Sequence, residues 1–301
     1  MPTSKKTKAQ SQTLSVPALR AMMEESLGGL GLSQRNIRDR AQDLVYQAME
    51  ARTPARRLRL ATQALDLDPE NVDALLMLTD AVPLGEAARI TVLRDIVATG
   101  AKRLGLKAFK KLAPHFWGHI ETRPYMRARE ELAEDLRAAG RLEEAIQEYT
   151  GMLALNENDN QGMRYHLLPC LLALRRLAEA QAMMKRYIDD CDWSVVFAWG
   201  RVLAFLLAGE PAAAAKALVI ARKQNPHIEV FLRGRRKVPK RLPDYYSHGS
   251  EEEALCFAEP LLMAWARYPD CQKWLTTQGM PNGALLTSPS SKRRPAHKKL
   301  E

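Results

Sequence analysis

Aromatic side chains are scarce, 6% of 301 residues, and nowhere do about eighteen apolar residues run together, the length a membrane-crossing helix needs. No transmembrane helix is therefore expected. Residues 1–17 hold lysines and small polar residues without an apolar segment, which speaks against a secretory signal. Cysteine is rare as well. Cys170, Cys191, Cys256 and Cys271 stand far apart, none in a C-x-x-C pair and none followed by paired histidines. The expectation is reduced, mostly buried thiols in a cytoplasmic protein.

Catalytic signatures are missing too. There is no G-x-x-x-x-G-K-[ST], G-x-G-x-x-G, H-E-x-x-H or G-x-S-x-G. The run Gly28-Gly29-Leu30-Gly31-Leu32 lacks a preceding strand and reads as a flexible joint. His115 and His119, with Glu121 nearby, could share a helical face as metal ligands do. Pro114, Gly118 and Pro124 oppose a regular helix there, however, and no third ligand has a motif spacing. Asp189, Asp190 and Asp192 lack the glycine and further oxygens of a calcium loop and read as a solvated turn. The chain reads as no enzyme, with no cofactor and no metal.

The net charge of +10 is unevenly spread. Residues 1–20 and 291–301 carry +4 each, and Arg233, Arg235, Arg236, Lys237, Lys240 and Arg241 carry +6, which leaves −4 for the remainder. Basicity confined to two tails and one loop argues against a nucleic-acid face spread over the fold. That loop has no interleaved aromatics for base stacking, though it could contact phosphate or an acidic peptide.

What is abundant is Ala and Leu, and their spacing is helical. Ala41, Leu44, Val45 and Ala48 share one helix face. Thr53-Pro54 is a cap-and-start signal for a second helix burying Leu58, Ala61, Ala64 and Leu65, which Pro69 stops. Helices are expected over 72–82, 86–98 and 102–112, with Gly100 as a helix end. Pro169 should kink or delay its helix. Ser250-x-x-Glu253 reads as a capping box opening a helix through Ala254, Ala258, Leu261, Leu262 and Trp265, with a short helix near Cys271–Leu275 after Pro269.

One interval recurs. Gly140 is followed five positions on by Ala145, and Gly209 by Ala214; Ala180 comes 35 positions after Ala145 and 34 before Ala214. Ala145-x-x-x-Tyr149 matches the A-x-x-x-F element of a repeat of that length, and Asn225-Pro226 ends the best-matching unit. The stretch resembles a tetratricopeptide-repeat (TPR) array. Segments 121–128 and 155–165 are also similar to poorly characterised bacterial TPR proteins, and the second to the TPR-like suppression-of-tumorigenicity family. The resemblance implies an all-α, right-handed solenoid of antiparallel helical hairpins whose first helices line a concave groove for a peptide. It places Arg127, Glu130, Glu134, Arg137, Tyr165 and Trp199 on that groove, although packing between repeats is the favoured reading for Trp199. Glu130 and Glu134 stand where the carboxylate clamp of chaperone-binding TPR proteins has basic and amide residues, which speaks against acidic chaperone tails as ligands.

The resulting layout is a disordered tail over 1–16, degenerate hairpins over 17–112, an irregular connector over 113–125 and repeats over 126–228. A basic loop over 229–249, capping helices over 250–278 and a disordered basic tail over 279–301 complete it. The function expected is a cytoplasmic, non-catalytic scaffold for a protein or peptide partner. The alternative is a nucleic-acid- or phosphate-binding module built on residues 233–241 and the tails.

Overall fold

The computed structural model of the chain describes residues 34–279. The two expected tails, and the start of the hairpin segment expected over 17–112, lie largely or wholly outside them. Every regular element described is helical, and the one β-type pairing among the described residues is an isolated bridge between His115 and Asn156. No helix among them is long and apolar enough to cross a membrane. The chain divides into two compact units at Gly105.

In the first unit, α1 (Gln34–Met49), α2 (Pro54–Leu67) and α3 (Val72–Ala81) pack in sequence order. Ala41, Val45, Ala61, Ala64 and Ala74 form their common core. Thr53 caps α2 by accepting the Arg56 N–H, and Asn71 caps α3 by accepting that of Ala74 at 3.0 Å, each satisfying a donor the helix cannot. The buried stripe of α2 runs through Leu60, Ala61 and Ala64, so Leu58, expected inside, is 40% exposed. The next helix, α4 (Glu86–Leu112), does not end at Gly100, which is buried within it. It breaks instead at Gly105, whose φ of 69° is available at little cost only to glycine.

The second unit opens with residues 106–112 of α4 and two 3₁₀ turns, Phe116–Gly118 and Ile120–Thr122. The connector is a packing device. Phe116 is fully buried against Phe109 and Tyr125, with ring centroids 5.2 and 6.3 Å away. Thr122 Oγ1 is hydrogen-bonded to the carbonyl oxygens of Phe116 and His119. Pro124 starts α5 (Arg123–Ala138) three residues before the expected boundary.

From α5 onward one hairpin recurs. α5 pairs with α6 (Leu142–Leu155), α7 (Met163–Ala173) with α8 (Leu177–Arg186), and α10 (Val195–Leu207) with α11 (Pro211–Gln224); the short α9 (Asp190–Trp193) precedes the third pair. Each first helix ends in the same turn. Gly140 N–H donates to Arg137 O and Arg141 N–H to Leu136 O; Arg175 and Arg176, then Gly209 and Glu210, repeat both bonds onto Leu172 and Leu171, then Leu206 and Phe205. This is a Schellman closure, which needs a left-handed residue, and φ is 73° at Gly140, 56° at Arg175 and 80° at Gly209. Ala145, Ala180 and Ala214 follow at matching places and are fully buried. Each of the three methyl groups is wholly withdrawn from solvent. α7 runs through Pro169 from Met163, so the proline does not delay its start.

Two expectations for the last segment change. Residues 229–232 are not loop but a buried helical turn, α12 (Glu229–Leu232). The helix α13 (Glu251–Trp265), expected as an end cap, packs on both α7 and α10, the first helices of the second and third hairpins, which also touch each other. α14 (Pro269–Thr277) follows, and the Tyr268 hydroxyl between them lies 2.9 and 3.0 Å from the carbonyl oxygens of Leu172 and Ala173 at the end of α7.

Candidate interaction face

α13 brings two of the expected groove residues to one surface. Arg137, on α5, extends Nη1 to Glu259 Oε2 on α13 at 2.5 Å, while its Nη2 donates to Glu134 Oε2 at 2.7 Å. Tyr165, on α7, meets Phe257 of α13 with centroids 6.0 Å apart and an interplanar angle of 65°. It also touches Trp193 and Phe197, and the Arg164 guanidinium lies 4.3 Å from its ring centre. The chain's own helix therefore lies against part of the face where a peptide was expected.

Glu134 is the hub of a polar cluster linking α5, α6 and α7. Its Oε1 accepts the Tyr149 hydroxyl at 2.6 Å and stands 3.1 Å from His166 Nδ1, out of line for a hydrogen bond. The Tyr149 ring stacks on that imidazole. Burial alone would push the Glu134 carboxyl up, but His166, Arg137 and the Tyr149 bond together hold it below the ordinary carboxylate value. Burial and the Glu134 charge push the Tyr149 hydroxyl up. Burial also lowers the His166 pKa, against the pull of Glu134, and drives the Cys170 thiol up to about 12. Such a thiol is inert at neutral pH.

The other expected groove residues are placed differently. Glu130 is half-buried, accepts from Gln161 Nε2, and has a carboxyl pushed up by burial. Arg127 is half-buried. Trp199 is fully enclosed and donates its indole N–H to Asn225 O at 3.3 Å, so it is a core residue and not part of any open groove. The completely buried Asn225 in turn donates to Glu253 Oε2 at 2.8 Å and to Ser250 O at 3.0 Å, tying the third hairpin to the start of α13. Ser250 accepts the Glu253 N–H as expected, but Glu253 returns its carboxylate to Gly249 N–H rather than to Ser250.

The basic run does not present six charges to solvent. The Arg233 side chain is 1% exposed and pairs with the fully buried Glu229, which also takes Arg222 at 2.7 Å. Arg236 pairs with Glu251 and lies over the Phe231 ring. Arg235, Lys237, Lys240 and Arg241 remain exposed.

His115 and His119 sit in the connector turns, and no group of three or more potential metal ligands gathers among the described residues. Asp190, read as part of a solvated turn, is 7% exposed and bound by Arg164, which also holds Asp159 at 2.8 Å. Cys170 is buried, whereas Cys256 and Cys271 are half-buried and free.

Glu259, Phe257 and His166 had no motif to mark them. Phe257 and Glu259 lie on one helix with no spacing that sets them apart from its other residues. No family model, no curated protein and no solved structure matches this chain.

Proposed function

We propose that the second unit carries a TPR-like array and works as a non-catalytic, cytoplasmic protein-interaction scaffold. The observation that supports this most is the threefold recurrence of one hairpin, down to the same left-handed turn and the same fully buried alanine. Stacked hairpins of this kind curve and offer their first helices as a binding surface. Because α13 covers part of α7 and α10, the surface for a partner is centred on α5, around Arg127 and Glu130, and on the exposed rim of α13. A partner chain there meets mixed charge rather than a uniformly basic clamp, which favours a peptide with both signs of charge over an acidic tail.

A photoreactive residue placed at Glu130 tests this, with one at the exposed Lys216 of α11 as control. A discrete adduct at residue 130 and none at 216 supports the reading, and equal labelling at both sinks it. The nucleic-acid alternative has less support, since Arg233 and Arg236 are committed to Glu229 and Glu251.

A further inference from the structure

Five aromatic side chains from four parts of the second unit form a closed circuit. Trp193 of α9 meets His248 at 5.4 Å, His248 meets Tyr246 at 6.1 Å, and Tyr246 meets Phe257 at 5.5 Å. Phe257 meets Tyr165 at 6.0 Å, and Tyr165 returns to Trp193 at 6.4 Å. All five contacts are steep, with interplanar angles from 65° to 80°, so no two neighbouring rings of the circuit are stacked. Among the described residues no ring contact crosses the circuit.

The circuit reaches the surface. Trp193 is 43% exposed, Tyr246 41%, and the His248 side chain 65%. A large aromatic surface left in water is disfavoured unless something covers it. A flat circuit of this perimeter has its corners about 5 Å from its centre, inside the roughly 6 Å at which a cation is attracted to an aromatic face.

Carboxylates stand close to the circuit. Glu253, 1% exposed, lies 3.2 Å from His248 Nδ1. Arg164, 4.3 Å from the Tyr165 ring centre, pairs with both Asp159 and Asp190. Burial pushes the Tyr165 and Tyr246 hydroxyls up, Tyr165 to about 12, and the carboxylates act in the same direction: Asp190 and Asp159 on Tyr165, Glu253 on Tyr246. Arg164 opposes them at Tyr165 and shows that a face of this ring takes a cation.

We propose that Trp193, His248, Tyr246, Phe257 and Tyr165 form a binding site for an alkylated ammonium group, either on a methylated lysine of a partner or on a free quaternary amine. A methylated ammonium suits the site better than a bare one. It has no strong hydration to lose, and its methyl groups cover ring surface while the charge is felt through them. The site stands apart from the scaffold reading, because it is assembled by α7, α9, α13 and the preceding loop whatever the array binds.

The test is titration of the full chain, followed by the NMR shift of the Trp193 indole N–H. The probes are choline, a short peptide carrying trimethyllysine, the same peptide with unmodified lysine, and the neutral analogue of choline in which carbon replaces the charged nitrogen. The expected result is saturable binding of choline, of the trimethyllysine peptide or of both, with the neutral analogue about tenfold weaker. Binding of the peptide alone identifies a modified protein as the source, and binding of choline alone a free amine. Tyr246→Ala and Trp193→Ala each lose about tenfold, while Trp193→Phe retains most of the affinity, both Trp193 variants being read from the ligand's own signals. Circular dichroism checks that each variant is folded. Equal binding of the neutral analogue, wild-type affinity in both alanine variants, or no saturable shift with any ammonium probe overturns the proposal. The Glu130 cross-link is unaffected by any of these outcomes.

Discussion

Arg137 and Glu259 are 122 positions apart in the sequence and 2.5 Å apart in the structure. The two ends of this contact are unequal: the Arg137 side chain is 10% exposed and that of Glu259 51%. Removing Arg137 leaves Glu134 without its guanidinium partner in a partly buried setting, and Arg137→Ala should cost about 2 kcal/mol. Glu259→Gln removes an exposed partner and should cost less than about 1 kcal/mol. Urea unfolding of both variants checks the asymmetry, and equal losses would contradict the described cluster.

The same cluster predicts loss of stability on acidification. The folded pKa of His166 lies below its ordinary 6.5, so the unfolded chain takes up that proton first as pH falls. The stability this group contributes is therefore intact above 6.5 and declines from there toward the folded pKa. Glu134, held below its ordinary 4.5, acts in a lower window: its contribution is present above 4.5 and is lost as pH falls through its folded pKa. Thermal melting followed downward from neutral pH should show a decline that is flatter in His166→Phe over the upper window. Identical slopes in the variant and the parent would refute the assignment to His166.

Neighbouring arginines in the basic run should behave oppositely in two assays. Arg233→Ala leaves the fully buried Glu229 with Arg222 alone and should cost about 3 kcal/mol of stability. Arg235→Ala, at an exposed position, should change stability by less than about 0.5 kcal/mol. If the exposed cations contact a polyanion, Arg235→Ala lowers the salt at which the protein leaves heparin. An Arg233 variant as stable as the Arg235 variant would be incompatible with the buried pair.

The recurring turn supplies a conformational prediction. A Cβ at Gly140 or Gly209 meets no atom within 4 Å, so the penalty for alanine there is backbone strain alone. Each substitution should cost about 1 kcal/mol. At Arg175 the parent already bears that strain, and its guanidinium donates to Leu207 O at 3.1 Å in partial return. Arg175→Gly should therefore be about 1 kcal/mol more stable than Arg175→Ala, which loses the bond and keeps the strain. Chemical unfolding of the pair measures the difference directly.

Features governed by neighbours along the chain were legible in the sequence. Thr53-Pro54 caps α2, Ser250 caps α13, and the spacing of Ala145, Ala180 and Ala214 marks three buried contacts, because caps and small-residue periodicity depend on a few consecutive residues. Where one chemical type serves two environments, reading failed. Gly100 and Gly105 look alike, yet only Gly105 takes a positive φ, and Arg175 takes one without being glycine. Leu58 and Leu60 are equally apolar, and the choice between them depends on which way α2 rolls against α1 and α3.

The candidate site was legible only in part. The family pattern named Arg137 and Tyr165, which do face a common helix, and Trp199, which the third hairpin encloses. That this helix is α13, and that Glu259 and Phe257 are its contacts, follows from packing across the chain and from no local rule.

The sequence by itself determined that this chain is helical, that hairpins recur at a fixed interval, and where their alanines are buried. Propensity, caps and periodicity act over one or two helical turns, so they are written in adjacent residues. Only the tertiary structure decided that Arg233 is an interior ion pair, that α13 crosses α7 and α10, and that five aromatics close into a circuit. Those outcomes depend on which side chains distant segments bring together, and burial and electrostatics act on that proximity rather than on sequence separation.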